Sequence, residues 1–293
     1  MFEWLGISPQ ALFGQLLIGL INGSFYAMLS LGLAVIFGML NVINFAHGAL
    51  YMVGAFAAWL LLNYLGIGYW ASLILAPLIV AVIGIVIERL LLRRLYQLDH
   101  LYGLLLTFGL ALIIEGLFRQ QFGASGLPYV NPIPGGQNLG FMFLPWYRGW
   151  VVAFSLVMCL TTWYLIEKTK LGSYLRAATE RPDLVQAFGI DVPRMITLTY
   201  GGGVALAALA GVLAAPIYTV NPTMGSNLII VVFAVVVIGG MGSIMGSIVT
   251  GFGLGVIEGL TKVFYPEASN TVIFVIMAIV LMVRPQGLFG TPR

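Results

Sequence analysis

The chain has 293 residues, of which 60% are hydrophobic and only 8% are charged, and its formal net charge is +3. Soluble globular domains carry about 25% charged residues, so no water-soluble fold could bury this much apolar surface. The composition therefore predicts a polytopic membrane protein. There is no basic stripe, which argues against nucleic-acid binding. The single cysteine, Cys159, cannot form an internal disulfide.

Apolar segments long enough to cross a bilayer as helices, about 20 residues each, follow one another along the chain. They occupy residues 11–38, 44–64, 70–88, 101–118, 149–166 and 195–219. The pattern then changes, because 228–238 is apolar but too short to cross alone, and 248–264 and 271–283 follow it. We predict a single all-α domain over residues 1–293 with eight or nine transmembrane segments, including broken or re-entrant helices.

The distribution of Lys and Arg in short loops predicts the orientation in the membrane. These residues concentrate in 89–100, in 167–194 and at the C-terminus, whereas 119–148 carries arginine only at its two ends. We therefore expect the first three regions, including the C-terminus, to be cytoplasmic and the N-terminus to lie outside. The N-terminal MFEWLGISPQ has no Lys or Arg, so it does not read as a cleaved signal peptide.

The stretch NVINFAHG (41–48) places Asn41, Asn44 and His47 three residues apart, and on a helix they would share one face. Two interpretations stay open: a structural role in satisfying backbone groups, or a polar lining of a translocation route. Further polar candidates in apolar spans are Asn22, Ser24, Thr107 and Glu115. For Glu115 we favour a local helix pair with Arg119, four residues further on.

The glycine-rich stretch GGMGSIMGS (239–247) interrupts the apolar pattern. Its glycines, Gly239, Gly240, Gly242 and Gly246, allow positive φ and close backbone approach. They predict either a break between two helices that line a pathway, which we favour, or tight helix packing. Gly251 and Gly255, four residues apart, fit packing better.

The loop 167–194 is the longest polar stretch. SYLRAATE predicts one short helix, and Pro182 begins a second, PDLVQAF, with Asp183 at its N-terminus and Gly189 as its C-terminal cap. Its charges have both signs, whereas a helix on a lipid surface prefers Lys and Arg. We therefore favour a docking element for a soluble partner over an amphipathic loop lying on the membrane.

Five stretches of the sequence together form one pattern. They are NGSFYAMLSLGLAVIFGMLNVINFAHG, LLLTFGLALIIEG, LGSYLRAATERPDLVQAFGIDVPR, VVIGGMGSIMGS and the closing RPQGLFG. In this order they resemble the permeases of branched-chain amino-acid ABC importers, and the NFAHG form is closer to the LivH-type than to the LivM-type subunit. The resemblance implies a transmembrane permease domain that translocates branched-chain or other hydrophobic amino acids across the bacterial inner membrane, without metal, cofactor or catalytic residues.

The resemblance also implies that 167–194 is a cytoplasmic coupling loop, seated in a cleft of an ATPase. The candidate coupling residues are Leu171, Gly172, Arg176, Ala177, Glu180, Asp183, Ala187 and Gly189. ATP hydrolysis is expected on partners, because no lysine of this chain follows a glycine as a P-loop requires. The implied partners are a LivM-like second permease in a heterodimer, two cytoplasmic ABC ATPases and a periplasmic substrate-binding protein that docks on loops such as 119–148.

Other functions stay open at this point. Similar permeases carry urea and short amides or aromatic carboxylates, and many relatives have an acidic residue where this chain has Ala49. A stand-alone secondary transporter or channel would need coupling carboxylates in its spans, and only Glu88, Glu115 and Glu258 come close. A membrane enzyme would need a cluster of reactive groups that the two histidines, His47 and His100, do not supply.

Overall fold

The computed structural model describes residues 8–40, 43–96 and 98–290. The order of the regular elements is α1 (Pro9–Leu40), α2 (Ala46–Leu65), α3 (Tyr69–Leu90), α4 (His100–Phe122), β1 (Gly136–Asn138), β2 (Phe143–Pro145), α5 (Trp146–Lys168), α6 (Lys170–Glu180), α7 (Pro182–Ala187), α8 (Val192–Ala214), α9 (Met224–Gly239), α10 (Ile244–Phe264) and α11 (Val272–Val283). Short 3-10 turns follow α3 and α10.

The apolar helices confirm the all-α polytopic fold. Seven described helices are long and apolar enough to cross a membrane, namely α1 to α5, α8 and α10. Two more are apolar but short: α9 and α11, with 16 and 12 residues, extend only about 24 and 18 Å, less than the ~30 Å hydrocarbon core. The region 228–264, where the sequence favours a break between two helices, pairs the short α9 with an α10 of full spanning length.

The helix α1 lies at the centre of the bundle, where it packs against α10, α8, α5 and α9. Glycines bring α1 and α10 into backbone contact: a Cβ added at Gly255 would lie 2.4 Å from the Gly23 Cα, and one at Gly19 would lie 2.5 Å from the Gly255 carbonyl oxygen. Membrane helices associate through small residues because lipid supplies no hydrophobic driving force between them. In the structure, Gly255 therefore has the expected packing role, at the contact of α10 with α1.

A second close contact joins α2 to α8. A Cβ at Gly211 would lie 2.0 Å from the Tyr51 carbonyl oxygen, and one at Gly54 would lie 2.4 Å from that of Ala208. By contrast, α4 and α5 sit at the periphery, with 11% and 17% of their apolar windows buried against 78% for α1. The helices α1, α2, α8 and α10 thus form the core of the bundle. The peripheral helices α4 and α5 leave apolar side chains exposed.

The two ends of the bundle differ. At one, called the hairpin end here, β1 and β2 pair antiparallel, and the ring of Phe141 between them packs at a tilt of 46° against Phe13, with 5.8 Å between ring centroids. Leu127 and Val220 also join there through two backbone hydrogen bonds of 2.8 and 2.9 Å. At the other, the α6–α7 end, the two short helices predicted within 167–194 are both present, and Gly189 has a φ of +82°.

The glycine-rich stretch lies between α9 and α10 at the α6–α7 end. Gly240 and Gly242 adopt φ angles of +103° and +86°, which side-chain-bearing residues rarely reach. The last carbonyls of α9 have no partner within that helix, and the closing segment 284–290 supplies two: the Leu288 and Phe289 amides donate to the Ile238 and Gly239 carbonyls at 2.8 and 3.1 Å. The interruption between α9 and α10 is thereby stabilised by hydrogen bonds to the protein's own backbone.

The α1–α10 contact predicts different outcomes for two neighbouring glycines. Gly255→Ala places a methyl group against the Gly23 backbone, and overpacking of this kind costs about 1–3 kcal/mol of stability. Gly253→Ala meets nothing within 4 Å and improves helix propensity. We expect thermal unfolding of the purified protein to occur at a lower temperature in Gly255→Ala only. Equal unfolding temperatures for both variants would show that α1 and α10 do not require this approach.

Candidate translocation site

A cavity of about 230 Å³ opens between α1, α2 and the beginning of α9. Its walls combine aromatic rings with neutral amides, and no residue that lines it carries a formal charge. The lining residues are Asn22, Phe25, Tyr26, Tyr51, Tyr218, Asn221, Met224, Asn227 and Leu228. Such a lining offers hydrogen bonds and apolar contact to a small solute without a fixed charge to trap it.

Helical spacing and a turn place these side chains. Asn22, Phe25 and Tyr26 lie three and four residues apart, so α1 presents them on one face. The α9 wall begins with a turn in which the Asn221 carboxamide oxygen accepts a hydrogen bond from the Thr223 amide at 3.1 Å. Asn and Asp favour such turns, and here the turn directs the first residues of α9, including Asn227, toward the cavity.

Tyr218 spans the cavity from the segment that follows α8. Its hydroxyl donates a hydrogen bond to the Asn22 carboxamide oxygen at 3.1 Å, and its ring meets Phe25 edge-on at 5.7 Å. Two residues later, Val220 pairs with Leu127 of the long loop at the hairpin end. The cavity wall and that loop are therefore physically joined.

A second cavity of about 370 Å³ adjoins the first and shares Tyr26, Asn227 and Leu228 with it. It lies between α1, α9, α10 and α11 and contains the carboxylate of Glu258, which is only 5% exposed. The Tyr26 hydroxyl donates to Glu258 Oε2 at 2.7 Å, and Lys262 Nζ donates to Oε1. The sequence analysis considered Glu258 only as a residue for ion coupling. The feature that could have identified this site is a carboxylate inside an apolar span.

The residues predicted to line a pathway do not all lie together. Asn22 lines the first cavity, whereas Asn44, His47 and Thr107 surround the connection between α1 and α2. There the Asn44 amide donates to the Tyr200 hydroxyl at 3.1 Å, and His47 Nε2 lies 3.0 Å from the Leu29 carbonyl oxygen, a distance suited to an N–H donor.

The α4 helix joins this connection through Thr107. Its hydroxyl donates to the Ile43 carbonyl and accepts from the Phe45 amide, both at 3.2 Å. Asn41, the first residue of the predicted set, lies outside the described residues. Two buried atoms, Asn44 Oδ1 and His47 Nδ1, have no hydrogen-bond partner among the described residues. The polar capacity of this region is therefore only partly used within the chain.

The candidate coupling residues form two groups. Gly172 and Arg176 face the bundle: a Cβ at Gly172 would collide with the Ile166 carbonyl, and the Arg176 guanidinium lies 3.3 Å from the Glu167 carboxylate. Others face outward and line an open groove of α6 and α7, beside Phe188, which is 85% exposed. The groove residues are Tyr174, Ala177, Glu180, Arg181, Leu184, Val185, Phe188 and Ile190. Leu171, Asp183 and Ala187 are also exposed, and Gly189 follows α7.

Two other polar features take simple forms. Glu115 and Arg119 make the predicted i,i+4 pair on α4, with 3.1 Å between Oε1 and Nη2. Within the described part of the chain, no group of three His, Cys, Asp or Glu side chains is placed to bind a metal ion.

Comparisons with known proteins agree with this architecture. The sequence profile described as "branched-chain amino acid transport system / permease component" matches residues 15–281. The chain is 30% identical to the branched-chain amino acid permease LivH of Salmonella typhimurium, an alignment that covers 95% of this chain and 96% of LivH. It is 31% identical to the corresponding permease BraD of Pseudomonas aeruginosa, with the same coverage.

The other permease type is also detectable. The chain is 28% identical to LivM of Escherichia coli over 92% of this chain and 68% of LivM. The higher identity and fuller coverage on the LivH and BraD side agree with the resemblance of the NFAHG stretch. With the family profile spanning nearly all of the helical bundle, this chain belongs to the permease family of the branched-chain amino acid transport systems.

Proposed function

We propose that this chain is the translocating subunit of an ABC importer for branched-chain or similar hydrophobic amino acids. The observation that supports this most directly is the neutral cavity formed by amides and aromatic rings between α1, α2 and α9, in a chain that the family profile matches over residues 15–281. The cavity volume of about 230 Å³ suits a small solute rather than a large ligand. The hairpin end faces outside and the α6–α7 end faces the cytoplasm, as the Lys and Arg distribution predicts.

The proposed partners are assigned to the two ends of the helical bundle. A LivM-like second permease completes the membrane unit, two ABC ATPases bind the α6–α7 end, and a substrate-binding protein docks on the hairpin end. A mild-detergent purification of the tagged chain from its own cells tests this assembly. We expect a P-loop ATPase and a second permease to co-purify, and the complex to import leucine into proteoliposomes only with ATP. Import without ATP or partners would contradict the proposed ABC importer. Import of urea and not of leucine would show that the proposed substrate class is wrong.

The α6–α7 groove supports ATPase docking because its apolar side chains are exposed next to charges of both signs. Phe188→Asp introduces a charge at an 85% exposed position that packs against nothing essential. We expect it to reduce ATPase co-purification and ATP-driven uptake at least tenfold, with an unchanged unfolding temperature. Leu98→Asp, at an exposed leucine of the other loop at this end, is the matched control. Equal uptake by both variants would place ATPase docking elsewhere.

The polar residues of the cavity and of the α1–α2 connection form the proposed route, including Asn22, Asn44, His47 and Thr107. Asn22→Leu removes the acceptor of the Tyr218 hydroxyl and makes the cavity more apolar. We expect a several-fold change in KM for leucine uptake with little change in unfolding temperature. Asn63→Leu, at an exposed asparagine on α2, should leave KM unchanged. If both variants transport as the native chain does, Asn22 is not on the route.

The proposed docking face for the binding protein has an unusual composition, because residues 120–147 contain no charged side chain. The segment 215–227, which pairs with it through Val220, is also uncharged. Contacts without charge pairs respond weakly to salt. We expect the affinity of the binding protein for the complex to change less than threefold between ~50 mM and ~500 mM NaCl. A steep loss of affinity with salt would show that docking uses charges on the partner permease instead.

A further inference from the structure

Glu258 is an ionisable side chain placed inside a spanning helix. It is 5% exposed and lies on α10, within the apolar bundle rather than in a loop. An ionisable residue in such a place is costly and usually serves a solute or a proton, because it must be paired or hydrated. Both of its oxygens are engaged, by the Tyr26 hydroxyl at 2.7 Å and by the Lys262 ammonium.

The position of this pair relates it to the two cavities. Glu258 lines the larger cavity, and its partner Tyr26 lines both, so a single phenol separates the carboxylate from the smaller one. Among the described residues that line the two cavities, Glu258 is the only charged one. Neutral hydrogen-bonding groups, Asn227 and Asn270, and apolar side chains, Ile273 and Phe274, complete the larger cavity. The two cavities thus meet at one carboxylate, whose partner Lys262 lines neither cavity and has a side chain that is 31% exposed.

We propose that the Glu258–Lys262 pair recognises the two charged poles of a zwitterionic amino acid. Glu258 receives the ammonium group, Lys262 receives the carboxylate, and the apolar side chain lies among Ile273, Phe274 and neighbouring residues of the larger cavity. This inference rests on the proposed transport of amino acids and names the residues that select them. The Tyr26 hydroxyl keeps its hydrogen bond to Glu258 and orients the carboxylate.

The selectivity follows from the exchange of ion pairs. A zwitterion that enters replaces one internal pair by two pairs with the solute, so every charge remains compensated. A solute with only a carboxylate draws Lys262 away and leaves the 7% exposed Glu258 without its cation, which is strongly unfavourable in a low-dielectric environment. A solute with only an ammonium group forms one of the two pairs and leaves Lys262, which is 31% exposed, to water. A neutral amide gains nothing from opening the pair. A pair of opposite charges therefore selects molecules that carry both.

The chain contains a matched pair of the same design. Glu115 and Arg119 are also an i,i+4 pair, but the Arg119 side chain is 52% exposed and the pair lies on the peripheral α4. Exposed pairs of this kind contribute little beyond local helix stability. The side chain of Glu258 is 7% exposed by comparison and is also bound by a hydroxyl from another helix. The Glu115–Arg119 pair therefore serves as an internal control.

The test uses the purified permease–ATPase complex in lipid nanodiscs, without the binding protein. Four probes of similar size are compared at equal concentration: leucine with both poles, isocaproate with the carboxylate only, isoamylamine with the ammonium only, and 4-methylpentanamide with neither. A ligand that binds the folded state raises the unfolding temperature. We expect leucine alone to do so in the native chain.

Variants then assign the effect. Glu258→Gln with Lys262→Met removes both charges together, so no unpaired charge remains buried, and we expect leucine affinity to fall at least tenfold. Glu115→Gln with Arg119→Met should bind leucine as the native chain does. The exchanged pair, Glu258→Lys with Lys262→Glu, retains both poles and should recover part of the affinity. This third variant reports on recognition even where the neutral pair impairs folding.

Three results would overturn the inference: leucine affinity unchanged in the neutral pair, a lower unfolding temperature without any loss of affinity, or isocaproate or isoamylamine binding as well as leucine. The proposed function fails separately, since it requires ATP-driven leucine uptake by the native complex with its binding protein. If that uptake occurs and has the same KM in the neutral-pair variant, transport of amino acids stands and recognition by Glu258 and Lys262 does not.

Discussion

The structure depends on backbone contact between helices at glycines along α1. In a bilayer, helices gain no hydrophobic energy by meeting, so close packing has to supply the association. Gly19, Gly23 and Gly255 let α1 and α10 touch along their backbones. This contact fixes the face of α1 that carries Tyr26 toward the carboxylate of Glu258 on α10. A looser contact would separate the hydroxyl from the carboxylate and leave a buried charge with one partner fewer.

The second constraint is that every polar backbone group in the apolar layer needs a partner. The break between α9 and α10 satisfies it by recruiting the closing segment, whose amides cap the last carbonyls of α9. Gly242 at this break also lies against Gly38 near the end of α1. Beside them, a cavity of about 90 Å³ is lined by Gly38, Gly242 and residues of α6, including Arg176. The proposed ATPase-docking helix thus rests on the same contact as the end of α9.

This arrangement gives the proposed coupling a physical basis. The helix α9 extends from Asn227 at the two cavities to Gly239 at the break, as one rigid element. Under the proposed function, a displacement of α6 would reach the break through Gly38 and Gly242, and α9 would pass it to the cavity walls. At the hairpin end, the Leu127–Val220 pairing similarly connects the long loop with Tyr218. Both ends therefore have a short mechanical connection to the same solute-sized space.

The sequence predicts the fold well because span length and helix-terminal residues are local properties. The apolar segments, the two helices around Pro182 and the Glu115–Arg119 pair all depend on residues close together in the chain. The start of α10 was less accessible: the sequence places an apolar segment at 248–264, whereas the helix begins at Ile244 after its N-cap Ser243 and packs against α1. Propensity alone does not record such tertiary contact.

The composition of the cavities was less accessible, because it depends on contacts between distant parts of the chain. Asn22 stood out as a polar residue in an apolar span, whereas Asn221 and Asn227 lie between the predicted apolar segments, where asparagine is ordinary. Tyr26 and Glu258 are 232 residues apart, and no periodicity links them. Their pairing requires the α1–α10 contact, and that contact depends on glycines whose role is visible only when both helices are placed. The same glycines that hold the bundle together thus bring the neutral amide cavity beside the carboxylate of Glu258. Under the proposed recognition, a solute that suits both features is small, partly apolar and doubly charged.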